Sequence, residues 1–259
     1  MYLKILYAMV KTILINIMGT SPMVSTEMFQ YLHNSDEKIS DVIMVHTANS
    51  DVVSGTMAAC TALVEKFNVR IHTFELEFND ISTEDEMIKF IEAIATIIKQ
   101  ERKEYNVEKI ILNVSGGRKI QTIILSLYSP IFGIDEVYNI INRNIMNINE
   151  NYEKVRDKIM NFGKDESLNR EIYGKYRNEF DEIFYPSMEN LYFLKVPVIR
   201  FPNEVLYRLK TILNSHFRED NDITESEMLA YKNSGFITYD NTRIYLTGLG
   251  SIIKSYLEY

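Results

Sequence analysis

Residues 11–22 read KTILINIMGTSP and residues 109–119 read KIILNVSGGRK, so each stretch is an apolar run that ends in a glycine-containing turn. β-Branched side chains are frequent in both runs, which favours extended strands. Neither run carries a charge in its interior, as expected for strands whose two faces are both covered by helices. The two stretches therefore predict strands of a parallel sheet, each turning into a helix at its carboxyl end.

The first 145 residues alternate strand and helix patterns around these two runs. Asn49-Ser50-Asp51 has the composition of a helix start, and Thr83 opens the acidic segment TEDE, which suits the positive end of a helix dipole. This alternation predicts an α/β fold, a Rossmann-like doubly wound parallel sheet. The predicted strands lie at about 11–18, 41–48, 69–78, 109–115 and 135–141.

The pattern changes after residue 145, which predicts three segments: a ligand-binding domain at 1–145, a helical connector or insertion at 146–200 and a small domain at 201–259. Within the connector, PSMENLYFLKVPVIRFP at 186–202 reads as extended chain. The last segment predicts a helix at about 203–215, a helix opened by Thr224 and Glu227, two short strands around Asp240-Asn241 and a closing helix. That order is typical of a winged helix.

Composition limits the kind of protein and its partners. The 259 residues are 46% hydrophobic with a net charge of -8, which suits a globular protein without an overall positive field. A nucleic-acid partner would have to meet a local basic pocket. Cys60 is the single cysteine and has no partner for an internal disulfide, which favours the reducing cytoplasm.

No segment is predicted to cross a membrane. The apolar N-terminus raises the question of a signal peptide, but Lys11 interrupts it and no small-residue cleavage motif follows, so a strand is expected, with Met9 as an alternative start. The longest other uncharged stretch, 120–134, is shorter than the ~18–20 residues that span a bilayer. It is expected to form a buried helix.

The two glycine turns are the candidate site, because ligands of open parallel sheets bind at carboxyl ends of strands. Gly19-Thr20-Ser21-Pro22 and Ser115-Gly116-Gly117-Arg118-Lys119 offer close backbone approach, hydroxyl donors and helix N-termini, and the second adds two cations. A lone turn of this kind is often only a tight connection, whereas two favour a phosphate site. Neither matches the dinucleotide or nucleotide-triphosphate loops, so no cofactor is predicted.

Other reactive residues have simpler interpretations. The histidines lack metal-site spacing, so no metal is predicted, and His46 and His72 are expected to pack in the core. Cys60 is expected to act as a small buried hydrophobe. The acids of TEDE are accounted for as a solvated helix start, and the aromatic residues after 173 are expected to serve packing.

The opening GTSP turn together with LNVSGGRK resembles the CARF domain of CRISPR-associated proteins, and most closely the archaeal-type ring nucleases, over about residues 9–145. The resemblance implies a homodimer that binds cyclic tetra-adenylate across its axis. It also implies cleavage without metal to linear di-adenylate ending in a 2′,3′-cyclic phosphate, which switches off antiviral signalling. The family's binding positions fall on Thr20, Ser21 and 115–119.

The chemistry of such a cleavage suggests individual roles. Lys119 suits stabilisation of charge added at phosphorus, and Ser21 could orient the 2′-OH or the phosphate. Gly19, Thr20, Ser115, Gly116, Gly117 and Arg118 would bind the ring, and we expect Asn49 and Ser50 to line the same rim. No general base is evident in the sequence, which predicts a slow enzyme.

Two alternatives use the same ligand. A CARF and winged-helix regulator would sense the ring and bind DNA, but the expected recognition helix, TESEMLAYKNSGF at 224–236, has two Glu against one Lys, so DNA binding is not favoured. A ring-activated ribonuclease would carry an R-x4-6-H motif, and Arg208 to His216 is too widely spaced for it. The ring nuclease is therefore preferred.

Overall fold

Six strands form one mixed sheet in the computed structural model, which describes residues 10–143 and 145–258. The strand order is β3-β2-β1-β4-β5-β6; the first five strands are parallel and β6 runs antiparallel to β5. The strands are β1 Thr12–Ile17, β2 Ile39–Thr47, β3 Arg70–Leu76, β4 Lys109–Asn113, β5 Glu136–Asn142 and β6 Leu191–Val196.

The predicted doubly wound α/β fold is confirmed, with one correction: the sheet is not purely parallel. Its sixth strand comes from the segment 186–202, which was expected only to be extended. All six residues of β1 are buried, as expected for a central strand covered on both faces, whereas the edge strand β3 is largely exposed.

Helices connect the strands of the sheet, and further helices lie after β6. They are α1 Met23–Asn34, α2 Ser50–Phe67, α3 Glu84–Lys103, α4 Lys119–Tyr128, α5 Ile145–Ile159, α6 Glu166–Lys175, α7 Arg177–Phe184, α8 Asn203–Asn214, α9 Glu225–Asn233 and α10 Gly248–Leu257. Two predicted starts are confirmed: the Asn49 side chain accepts hydrogen bonds from the first turn of α2, and Thr83 forms a reciprocal capping box with Glu86. The Ser82 backbone N–H, which donates to the Glu86 carboxylate, lowers the pKa of Glu86 together with the bonds from Thr83.

The described residues divide into two units. The first comprises the described part of 1–80 together with 106–126 and 134–198, and the second comprises the described part of 81–105, 127–133 and 199–259. This division follows spatial contacts, so the expected domain limits at 145 and 200 stay a prediction. The alternative start at Met9 lies outside the described residues.

The core of the first unit lies between one sheet face and the helices α1, α2, α6 and α7. Leu14 and Met44 contribute from the sheet, and Tyr173, Phe180 and Phe184 contribute large rings that are at most 1% exposed. The packing role expected of the aromatic residues after 173 is therefore confirmed for Phe180 and Phe184. Such rings each remove a large apolar area from water.

The second unit contains α3, α8, α9, a hairpin of β7 Ile237–Tyr239 with β8 Ile244–Leu246, and α10. Its order of helix, helix, hairpin and helix matches the expected elements, while DNA binding by it stays a prediction. Arg208 on α8 meets both carboxylate oxygens of Glu227 on α9, at 2.7 and 2.9 Å. This pairing, with the capping bonds of Thr224, lowers the pKa of Glu227 to about 2.

None of the described helices has both the length and the apolar composition needed to cross a bilayer.

Candidate functional site

The strand order reverses between β1 and β4. The chain leaves β1 toward β2 and β3 on one side, then returns to β4 on the other side. Residues Asn16 and Asn113 are register partners near the carboxyl ends of the two strands. Open α/β sheets bind their ligands at such a switch point, so the topology marks the edge beyond β1 and β4 as the candidate site.

The two glycine turns meet at this edge. A Cβ atom built on Gly19 would lie 1.8 Å from the carbonyl oxygen of Gly116, and one built on Gly116 would lie 2.5 Å from the carbonyl oxygen of Ile17. Both distances are below van der Waals contact, so each position excludes any side chain. The expectation that the two turns are spatial neighbours is confirmed, and the close approach of the backbones explains both glycines.

Buried asparagines hold the two turns in register. The Asn113 amide nitrogen donates to Asn16 Oδ1 at 2.9 Å and to the carbonyl oxygen of Val24, at the start of α1, at 3.0 Å. Its oxygen accepts from the backbone N–H of Ser115. This pair was not predicted from the sequence, although an amide inside each of the apolar runs TILINI and KIILN was a visible signal.

Ser115 is engaged within the protein. Its hydroxyl donates to Asn113 Oδ1 at 2.7 Å and accepts from the backbone N–H of Ile140 at 2.7 Å. Because the single hydroxyl proton is already donated, Ser115 in this conformation fixes the turn rather than presenting a donor for a ligand. Its predicted role in ligand binding stays a prediction, with this geometry as the reason to expect a small contribution.

Thr20 and Ser21 are exposed beside the contact between the glycines. Within the part of the chain that the structure describes, neither hydroxyl has a hydrogen-bond partner, while the Ser21 carbonyl accepts a long bond of 3.5 Å from Val24 N–H. Both hydroxyls are therefore available as donors to an oxyanion.

The two cations of the second turn differ in whether they form an ion pair. Arg118 pairs with Asp80, with 2.9 Å between Nη2 and Oδ2, and Gln121 Oε1 accepts from the Arg118 backbone N–H at 2.7 Å. Lys119 is exposed and forms no ion pair with any residue that the structure describes. It begins α4, so the N–H groups of the first turn and the ammonium group are on the same segment.

Asn49 and Ser50 follow β2, next to β1 in the sheet. Asn49 Oδ1 is occupied as the cap of α2, accepting from Asp51 and Val52 N–H groups. Ser50 Oγ lies 3.4 Å from Asp51 Oδ1, and Asp51 pairs with Arg156 of α5, which raises the pKa of Arg156. These two residues thus have clear local roles, and their expected place on the ligand rim stays a prediction.

His46, His72 and Cys60 lie outside the two turns and were expected to pack in the interior. His46 is buried, with Nδ1 3.0 Å from the Thr47 carbonyl, as expected. His72 is not: its side chain is 55% exposed and lies 3.6 Å from Asp41, because β3 is the edge strand of the sheet that the described residues form. Cys60 is half-buried against a cavity of about 470 Å³, and burial raises the pKa of its thiol to about 12.

Glu27 was missed by the sequence analysis. It lies on α1, is 2% exposed, and its Oε1 atom has no hydrogen-bond partner among the described residues. Burial raises its pKa to about 7. A lone acid within the otherwise apolar and hydroxyl-bearing face MVSTEMF was the available signal.

Comparison with known proteins gives matches to a family, to a relative and to a solved structure. A model of the CRISPR-associated protein NE0113 family matches residues 21–228. The CRISPR system ring nuclease SSO2081 of Saccharolobus solfataricus is 28% identical over 178 residues, which cover 66% of this chain and 90% of that protein. A solved structure of Enterococcus italicus Csm6, bound to cyclic hexa-2′-fluoro-hexa-dAMP, aligns with a TM-score of 0.45 and 16% identity. That alignment covers 96% of this chain, which spans about half, 54%, of the Csm6 chain.

Proposed function

Because the chain belongs to the NE0113 family of CRISPR-associated proteins, we propose that it is a ring nuclease that binds cyclic tetra-adenylate and cuts it. The family assignment confirms the resemblance to CRISPR-associated proteins that the two turn motifs suggested. Similarity to a relative named as a ring nuclease supports degradation of a cyclic oligoadenylate. The choice of a four-membered ring and the chemistry of its cleavage are parts of the proposal.

One observation carries the proposal: the backbone contact between Gly19 and Gly116 at the switch point. This contact brings the free hydroxyls of Thr20 and Ser21 to the same sheet edge as Arg118 and Lys119. Hydroxyls, helix N-termini and cations on one edge suit the phosphates of a polyanion. In a homodimer, a two-fold symmetric ring would meet the same residues twice, which offers local positive charge in a protein of net charge -8.

The proposed reaction needs no metal and no cofactor. A ribose 2′-oxygen attacks the neighbouring phosphorus, the bond from phosphorus to the 5′-oxygen breaks, and a 2′,3′-cyclic phosphate forms. The 2′-proton passes to water and the departing 5′-oxygen takes up a proton. Two such cuts convert one ring into two linear di-adenylates, which would end the antiviral signal.

Lys119 and Ser21 are the proposed catalytic residues. The Lys119 ammonium group would stabilise the negative charge added at phosphorus, a contribution of about 3 kcal/mol for one well-placed donor. Ser21 would hold the 2′-OH or the phosphate in line with the leaving oxygen. Thr20, Arg118 and the glycine backbone would bind the remaining phosphates.

The test is incubation of the purified protein with radiolabelled cyclic tetra-adenylate in EDTA. We expect di-adenylate from the parent protein and a rate about 100-fold lower from Lys119→Ala. Lys175→Ala, at an exposed lysine of α6, is the matched control and should cut at the parent rate. An intact ring after prolonged incubation with the parent, or full activity of Lys119→Ala, would contradict the proposal.

The order of elements in the second unit favours one alternative, a regulator that senses the ring and binds DNA. Its charges do not favour DNA: Glu225 and Glu227 lie in the first turn of α9, where they pair with Arg218 and Arg208. A gel shift on promoter DNA, with and without the ring, distinguishes the two. Tight binding of an uncut ring together with a ring-dependent shift would support the regulator.

A further inference from the structure

Arg118 is held by an acid of its own chain. Its Nη2 atom lies 2.9 Å from Oδ2 of Asp80, in the loop that follows β3. The arginine side chain is 69% exposed and the aspartate side chain 38% exposed, so the pair is open to solvent and can exchange partners.

The loop that carries Asp80 runs along the carboxyl edge of the sheet. Phe78 accepts a hydrogen bond of 2.9 Å from the backbone N–H of Ala48, just beyond β2. Two residues later, Asp80 meets Arg118, which follows β4. Since β1 lies between β2 and β4, the carboxylate and the guanidinium group meet along the edge on which the GTSP turn lies.

We propose that Asp80 lowers the affinity of this edge for anions: it occupies Arg118 in the free protein and competes with the phosphates of the ligand. A carboxylate and a phosphodiester each carry one negative charge and use the same guanidinium donors. A phosphate that uses the same Nη2 donor must therefore displace Asp80, and the carboxylate nearby then repels it. This inference rests on the proposed function.

The ion pair between Arg118 and Asp80 gives the two cations of the turn different availability to a ligand. Lys119 has no ion pair among the described residues and is ready for the reacting phosphate, whereas the Nη2 donor of Arg118 becomes available only when a ligand outcompetes Asp80. Every ligand phosphate that uses this donor meets the same cost, whether it belongs to the ring or to a linear product. Asp80 therefore lowers the affinity for the ring and for its linear products, which helps the products leave.

The test measures binding of 2′-fluoro cyclic tetra-adenylate, which lacks the attacking hydroxyl, to the full chain by calorimetry. Asp80→Asn should lower Kd about threefold to fivefold at 50 mM salt, the range for an exposed ion pair, and the gain should shrink at 500 mM salt. Asp80→Glu should bind like the parent. Glu77→Gln removes one negative charge from the same loop and should change Kd by less than about 1.5-fold, because Glu77 has no ion pair among the described residues.

The same variants should affect the linear product as well. Linear di-adenylate should also gain affinity from Asp80→Asn, because its phosphates use the same donor, so product inhibition should increase. Equal or weaker ring binding by Asp80→Asn would overturn the inference, and weaker binding would show that Asp80 positions Arg118 instead. If the parent binds neither the fluoro ring nor cyclic tetra-adenylate, the proposed function fails, whereas binding without an effect of Asp80→Asn contradicts only this inference.

Discussion

At Gly19 and Gly116, one added carbon atom would block the contact between the two turns of the candidate site. Neither has a positive φ, so their requirement is one of space rather than of backbone conformation. The turn after β1 and the turn after β4 can touch only because both lack Cβ atoms. Close approach of two backbones is one of the few structural demands that glycine alone satisfies.

Replacing Gly19 by alanine tests this contact. The added methyl group would lie 1.8 Å from the Gly116 carbonyl oxygen, so the turns must separate, and overpacking of this kind costs about 1–3 kcal/mol. We expect reduced ring binding together with a lower midpoint of urea unfolding. Gly163→Ala is the control, since nothing lies within 4 Å of its added Cβ. Similar losses of ring binding and of stability in Gly19→Ala and Gly163→Ala would show that these losses do not come from the contact between Gly19 and Gly116.

Helix α1 follows the GTSP turn of the candidate site and carries the buried carboxyl group of Glu27. It begins at the GTSP turn, and four residues into it Glu27 lies in the core with a pKa raised from 4.5 to about 7 by burial. The folded protein therefore keeps a proton on Glu27 at pH values where the unfolded chain has lost it. Its stabilising contribution is complete below about pH 4.5 and is lost as the pH rises through 7.

Glu27→Gln should remove this pH dependence. A shift from 4.5 to about 7 corresponds to roughly 3 kcal/mol, so the parent should lose up to that free energy of unfolding between pH 4.5 and 8 from this group. Urea unfolding at several pH values measures it. Glu92→Gln, on an exposed position of α3, should keep the parent slope. If the free energy of unfolding of Glu27→Gln depends on pH as steeply as that of the parent, Glu27 is not the source of the pH dependence.

At the scale of the whole molecule, the net charge of the protein and the charge of the proposed ligand have the same sign. With 36 acidic against 28 basic residues, the protein repels polyanions at long range. Binding of the proposed ring would then come from short-range contacts at the switch point, at the edge that carries Thr20, Ser21, Arg118 and Lys119. The proposed homodimer doubles that set for a single ring.

The stoichiometry of the complex tests the dimer. Native mass spectrometry with 2′-fluoro cyclic tetra-adenylate should find one ring on two chains, because a two-fold ring presents equivalent halves to equivalent subunits. Free chains should sediment as dimers at micromolar concentration. A complex of one ring with one chain would contradict the symmetric arrangement and leave each ring with a single Lys119.

Much of the fold was predictable. The boundaries of α1 and the caps at Asn49, Thr83 and Thr224 follow from local preferences that act within a few residues. The pairing of β6 with β5 was not predictable, because an extended segment pairs according to distant partners. Exposure of His72 likewise depends on β3 being an edge strand, which periodicity does not reveal.

The sequence by itself determined the alternation of strands and helices, the two glycine turns and the cations beside them, because hydrophobic period and turn chemistry are local. Only the tertiary structure decided which groups remain available. It assigns the Ser115 proton to Asn113, the Asn49 oxygen to α2 and Arg118 to Asp80, while it leaves the side chains of Thr20, Ser21 and Lys119 without polar partners among the described residues. Hydrogen bonds and ion pairs join residues far apart in the chain, so their allocation follows from strand order and packing.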